Sequence, residues 1–153
     1  MTGELKAFMK RLENQGLNLL VLKNGEPVYS SGKGGMAPLL DAIDRLGLSA
    51  LRGSTVVDRI VGKAAALLIS YFGAKDVYAG LLSRGALVVL EKHRIRYASE
   101  KVVDNIMNED KTDICPFEKM VLGIEDPREG YEKLSRELTH RLHQNKPCFR
   151  PQE

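Results

Sequence analysis

The stretch Ile60-Val61-Gly62-Lys63-Ala64-Ala65-Ala66-Leu67-Leu68-Ile69 carries a single charged side chain, Lys63, in an otherwise unbroken run of glycine, alanine and aliphatic residues. With Asp58 as a plausible N-cap and Gly73 as a plausible C-terminal cap, the spacing predicts one helix from about 58 to 73 that is apolar nearly all round. A helix without a polar face has no place at a surface, so other elements must pack around it. The run falls short of the roughly 18 apolar residues that a membrane-spanning helix needs. The constraint is therefore a layered globular fold with a buried central helix. At 153 residues and 43% hydrophobic content the chain is large enough to build that core alone.

The flanking text supplies the other layers. Leu5, Phe8, Met9 and Leu12 recur at helical spacing before Gly16. Leu17 to Leu22 reads as a strand, Asn24-Gly25 as a tight hairpin turn, and Pro27-Val28-Tyr29-Ser30 as the returning strand, placed at an edge because proline donates no ladder bond. Ser31 to Gly35 is a glycine-rich connection, and Pro38 opens a helix with Leu39, Leu40, Ile43 and Leu46 on one face, closed by Gly47. After the central helix come a strand at 76–81, a helix at 84–92 and a strand at 94–98, an alternation that predicts right-handed crossovers onto a parallel sheet. Pro116 begins a further helix with Phe117, Met120 and Val121 inward, and Asp126-Pro127 caps a final one whose Tyr131, Leu134, Leu138 and Leu142 share a face. The expected architecture is α/β: a three-layer α/β/α sandwich, a mixed sheet with an N-terminal β-hairpin, in one domain spanning 1–144 with a flexible tail at 145–153.

Twenty-three Lys and Arg against twenty Asp and Glu leave a net charge of +3, too little to make nucleic acid or an anionic membrane the expected partner. A small-molecule ligand is expected, and a homo-oligomer is allowed. No basic stretch followed by an apolar block opens the chain, so a cytoplasmic location is expected. Cys115 and Cys148 are far apart, which favours thiols over a disulfide.

Chemistry concentrates at two helix starts. In Asp113-Ile114-Cys115-Pro116-Phe117-Glu118-Lys119, proline at the first helical position leaves Cys115 at the N-cap and Glu118 where a capping-box acid would lie. A thiol against the positive end of a helix is favoured as thiolate, which makes Cys115 the best nucleophile available; the plain alternative is a small buried hydrophobe. Lys63, embedded among alanines, needs an anion near it: Asp58, Glu118 or a bound carboxylate or phosphate, unless it reaches water past its small neighbours. Weaker signals are Ser31 to Gly35 as a phosphate cradle, which lacks P-loop spacing, and His140 with His143 near the end of the last helix. His93 closes a helix, and Arg141, Lys146 and Arg150 give the C-terminus a basic cast that reads as a solvated end.

Gly62-Lys63-Ala64-Ala65-Ala66-Leu67-Leu68 and Asn108 to Lys119, with Cys115-Pro116-Phe117-Glu118-Lys119 at its end, resemble an uncharacterised bacterial family, a domain of unknown function with the cytidine-deaminase-like fold, over roughly Leu17 to Ile124. In working deaminases one helix start supplies a His or Cys ligand followed by Ala-Glu, a second supplies two cysteines, and a zinc-activated water does the hydrolysis. This sequence has no His-Ala-Glu or Cys-Ala-Glu, and Cys115 with Glu118 stands where the cysteine pair would lie. One sulfur with carboxylates is a poor zinc cage, so no metal site is assigned and the cofactor is left unnamed. The sequence thus leads to an altered, non-zinc site of Cys115, Lys63, Glu118 and Asp58. It would serve either a thiol-dependent enzyme acting on a small anionic or nucleotide-like substrate, or a non-catalytic small-molecule or nucleotide-binding regulatory module.

Overall fold

A computed structural model describes residues 1–108 and 110–144, without the side chains of 142–144. The tail at 145–153, with Cys148, Lys146 and Arg150, lies outside the described residues, as do the side chains of Leu142 and His143. The chain opens with α1 (Thr2–Gln15), ended by Gly16 in the left-handed conformation at φ 64°. The hairpin of β1 (Leu19–Lys23) and β2 (Glu26–Ser31) follows, turned by Asn24 at φ 52° and Gly25 at φ 80°. Both turn residues have positive φ, as a type I′ turn demands. Helix α2 (Ala37–Leu51) has Pro38 in its first turn and leaves helical geometry at Gly47, φ 81°, before one more turn.

Next comes β3 (Thr55–Val61), a strand where the sequence reading placed the start of the central helix. Helix α3 begins only at Lys63 and runs Lys63–Tyr71, with Gly62 as its N-cap. Asp58 is therefore a mid-strand residue and not a helix cap. The correction has a local cause: Thr55-Val56-Val57 and Ile60-Val61 are β-branched and sit more easily on a pleated surface than in a helix, while Gly62 breaks the run. The remaining elements are β4 (Asp76–Ser83), α4 (Arg84–Lys92), β5 (Arg96–Val103), α5 (Pro116–Met120) and α6 (Pro127–Gln144). Strand β4 outruns the expected 76–81, and β5 starts two residues later and ends five later than the expected 94–98. Ser83 caps α4 by accepting from the Ala86 amide at 3.1 Å, and Asp126 accepts from the Glu129 amide at the start of α6.

The sheet order is β2-β1-β3-β4-β5. β1 is antiparallel to both β2 and β3, and β3, β4 and β5 are parallel, joined by α3 and α4 as crossovers. Helix α1 covers one face, closing a small core of Leu5, Leu12, Leu20, Leu22, Val57 and Tyr78. On the other face α2, α3, α4 and α6 close the main core, where Leu67, Leu68 and Ile69 of α3 are fully buried. Gly130 lets α6 approach α3 so closely that a Cβ there would meet the Leu67 side chain at 3.0 Å.

Strict alternation fails at one level of the sheet. Val56 and Val61 both belong to the main core, as do Ala79 and Leu82, although residues an odd number apart should face opposite ways. Both strands bend between these positions, and Gly80 packs its Cα side against the Arg59 carbonyl, where a Cβ would lie 2.6 Å from that oxygen. The buried Asp58 carboxyl accepts from the Ile60 amide at 3.3 Å. Asp58 lies opposite Leu19 and Ala79, both in the main core, and burial pushes its carboxyl well above its ordinary value of 3.8.

Candidate functional site

A helix N-terminus presents amides with no partner in the helix, and they collect a partial positive charge. At α3 the N-cap is Gly62, which has no side chain to offer them. Glu118, from α5 more than fifty residues away, supplies the acceptor. Its Oε1 accepts from the Lys63 amide at 2.7 Å and its Oε2 from the Ala64 amide at 2.8 Å. The bare Cα of Gly62 makes room: a Cβ there would lie 2.3 Å from Oε1 and 2.6 Å from Cδ. A capping-box acid would turn back on its own helix; this one caps a neighbour. Phe117 and Val121, both buried in the main core, hold the segment against α3. The Cys115 amide donates to the Ile106 carbonyl at 3.0 Å, which fixes the entry to α5. Burial raises the Glu118 carboxyl above its ordinary 4.5, and the two amides and the Lys63 charge pull the other way.

Cys115 is the N-cap residue of α5 and is buried, 3% exposed. Its side chain makes no capping hydrogen bond. With Glu118, Gly62, Ala64 and Ile106 it lines a cavity of about 30 Å³ at the carboxyl end of β3. That is where open α/β sheets bind ligands. The volume suits a water molecule or two, whereas ligand pockets usually span about 300–1,000 Å³.

Of the four residues singled out in the sequence, the structure brings Cys115 and Glu118 to one cavity and gathers Lys63 only by its backbone. The Lys63 ammonium leaves in another direction. It donates to the Leu122 carbonyl at 3.1 Å and lies 3.8 Å from a Glu125 oxygen, so the carboxylate beside it is Glu125 and not Asp58. Asp58 does not line the cavity. Gly35, at the end of the glycine-rich connection, does. Among the described residues no group of three or more His, Cys, Asp or Glu side chains is placed to hold a metal ion. No helix among them is long and apolar enough to cross a membrane. The residue the sequence reading passed over is Gly62, and a glycine directly before an alanine-rich helix start was the available signal.

No curated protein matches the chain. Among solved structures, the crystal structure of a DUF1893 family protein (TM1506) from Thermotoga maritima superimposes with a TM-score of 0.79 at 27% sequence identity, covering 90% of this chain and 91% of that one. Residues 7–138 match the TM1506 family, described as a domain of unknown function, DUF1893. The chain is a member of the DUF1893 family.

Proposed function

We propose that this domain has the build of a cytidine deaminase without its chemistry, and works as a non-catalytic module that binds a small molecule. The deaminase-like reading is supported by a leading hairpin, two parallel crossovers and the order β2-β1-β3-β4-β5. It is supported too by a pocket formed where β3 meets α3 and α5 begins. The observation that carries the non-catalytic reading is the Glu118 carboxylate on the Lys63 and Ala64 amides. An anion site that in such a fold would face a ligand is filled by the chain itself. The residues present do not fit the zinc that the resemblance implies. Of the His, Cys, Asp and Glu type, only Cys115 and Glu118 line the cavity among the described residues, and both Glu118 oxygens already accept from amides.

A thiol-dependent enzyme is the second reading, favoured by one observation: Cys115 and a carboxyl raised by burial share a cavity. Alkylation of Cys115 by iodoacetamide across pH, in a Cys148→Ser background, separates the two. The module reading expects a rate at least about 100-fold below that of the urea-unfolded chain, rising with pH throughout. A fast rate that is already level below about pH 7 would mark an activated thiolate and overturn it.

A further inference from the structure

The sheet face that α1 covers also carries a groove of about 760 Å³, bounded by α1 and the carboxyl-end halves of β3, β4 and β5. Its volume lies within the usual range for small-molecule sites. Four cations border it: Lys6 and Lys10 of α1, Arg59 of β3 and Lys101 of β5. Glu13 and Glu100 are the carboxylates on its border, and neither is paired with any of the four. Among the described residues no carboxylate lies within 4.0 Å of the Lys6, Lys10 or Lys101 ammonium. Arg59 is held at the groove by donating from Nε to the Leu17 carbonyl at 2.9 Å.

Like charges around one hollow repel each other when spaced within the Debye length, about 8 Å at physiological salt, and an anion relieves that repulsion. The floor is of another kind. Met9, Ile60 and Leu81 offer apolar surface, Ile60 being 41% exposed, and Gly80 leaves the backbone of β4 bare between them. Charge at the border with an apolar floor suits a molecule with a phosphate at one end and a weakly polar ring at the other. We propose that this groove is the ligand site of the domain and that its ligand is a nucleotide-class phosphate ester. The phosphates lie against Lys6, Lys10 and Lys101, and the ring lies over Gly80 between Ile60 and Leu81. The inference rests on the reading of the domain as a binding module and gives that module a place and a ligand class.

The test is a titration of the full ¹⁵N-labelled chain with ATP, adenosine and inorganic triphosphate, followed by amide shifts. ATP is expected to saturate below about 5 mM and to move the amides of Gly80, Leu81 and Ile60 most. Lys10→Glu and Lys101→Glu, both at exposed positions, are each expected to weaken ATP at least about tenfold. Adenosine or triphosphate alone should bind more weakly than ATP. No saturable shift with ATP, or affinity indifferent to both charge reversals, overturns the site. Triphosphate binding as tightly as ATP overturns the nucleotide assignment. Shifts centred on Gly62 and Ala64 overturn this site and the reading that Glu118 fills the anion site at α3 together, whereas failure in the groove alone leaves the ligand-free alkylation profile of Cys115 to judge that reading.

Discussion

Replacing Gly62 by alanine isolates the contact on which the capping of α3 by Glu118 depends. Gly62 has φ −97° and ψ −177°, extended backbone that alanine adopts readily, so the substitution adds a methyl group and no backbone strain. That methyl would overlap all three terminal atoms of Glu118, at 2.3, 2.6 and 2.8 Å. The carboxylate must retreat and release two amides. Two hydrogen bonds to a charged group at about 1.5–3 kcal/mol each set a ceiling of about 3–6 kcal/mol. Protonation of Glu118 and a water entering the cavity return part of this, leaving an expected loss of about 2–4 kcal/mol. The assay is urea unfolding followed by circular dichroism, on wild type, Gly62→Ala, Glu118→Ala and the double variant. With residue 118 truncated, the new methyl has nothing to strike. The double variant should then be no less stable than Glu118→Ala, and slightly more stable if the smaller unfolded-state entropy of alanine is felt. Gly62→Ala within about 0.5 kcal/mol of wild type, or an equal loss in both backgrounds, would refute the argument.

Two further outcomes follow from the bend in the sheet. Asp58 holds its proton more tightly when folded than its ordinary value of 3.8, so above that pH the native state binds more protons than the unfolded chain and stability falls as pH rises through the folded value. Asp58→Asn keeps an acceptor for the Ile60 amide and removes the titration. Its stability relative to wild type should therefore grow from about pH 4 to about pH 8 in urea titrations, and a constant difference would show that Asp58 does not titrate in this way. Gly80→Ala places a Cβ 2.6 Å from a backbone oxygen that cannot rotate aside, so a loss of about 2 kcal/mol or more is expected. An unchanged melting temperature would mean that the two strands separate there without cost.

What could be read from the residues was mostly local. The α4 boundaries, Arg84–Lys92, coincide with the expected helix because a capping serine and a clear apolar face leave no competing assignment. The hairpin is as legible, since Asn24-Gly25 can hardly be anything else. Strand β3 was hidden because only Gly62 and Lys63 part its apolar end from the apolar residues of α3, and a short apolar run has no period by which to divide it. Asp58 compounded this, as an aspartate before such a run mimics a cap. The pairing of Glu118 with α3 was out of reach for another reason. Its spacing from Cys115 matches a local capping box, and only tertiary packing decides that it serves a helix 54 residues back. Lys63 misled in a similar way: the need for a nearby anion was real, but the sequence does not reveal that Glu125 meets it. On α1, Lys6, Met9, Lys10 and Glu13 form a stripe at helical spacing on the flank of the helix, which hydrophobic periodicity alone does not mark.

The two faces of the sheet are not guarded equally. Four helices shelter one, while α1 alone shelters the other, fastened by Leu5 and Leu12 and by the partly buried Phe8 and Met9. In native-state hydrogen exchange this helix should be the first to lose protection, at a free energy well below that of global unfolding. The groove is thus walled on one side by the most detachable segment of the molecule, so a guest there would gain the space it needs by prying at a terminus while the heart of the domain stays shut.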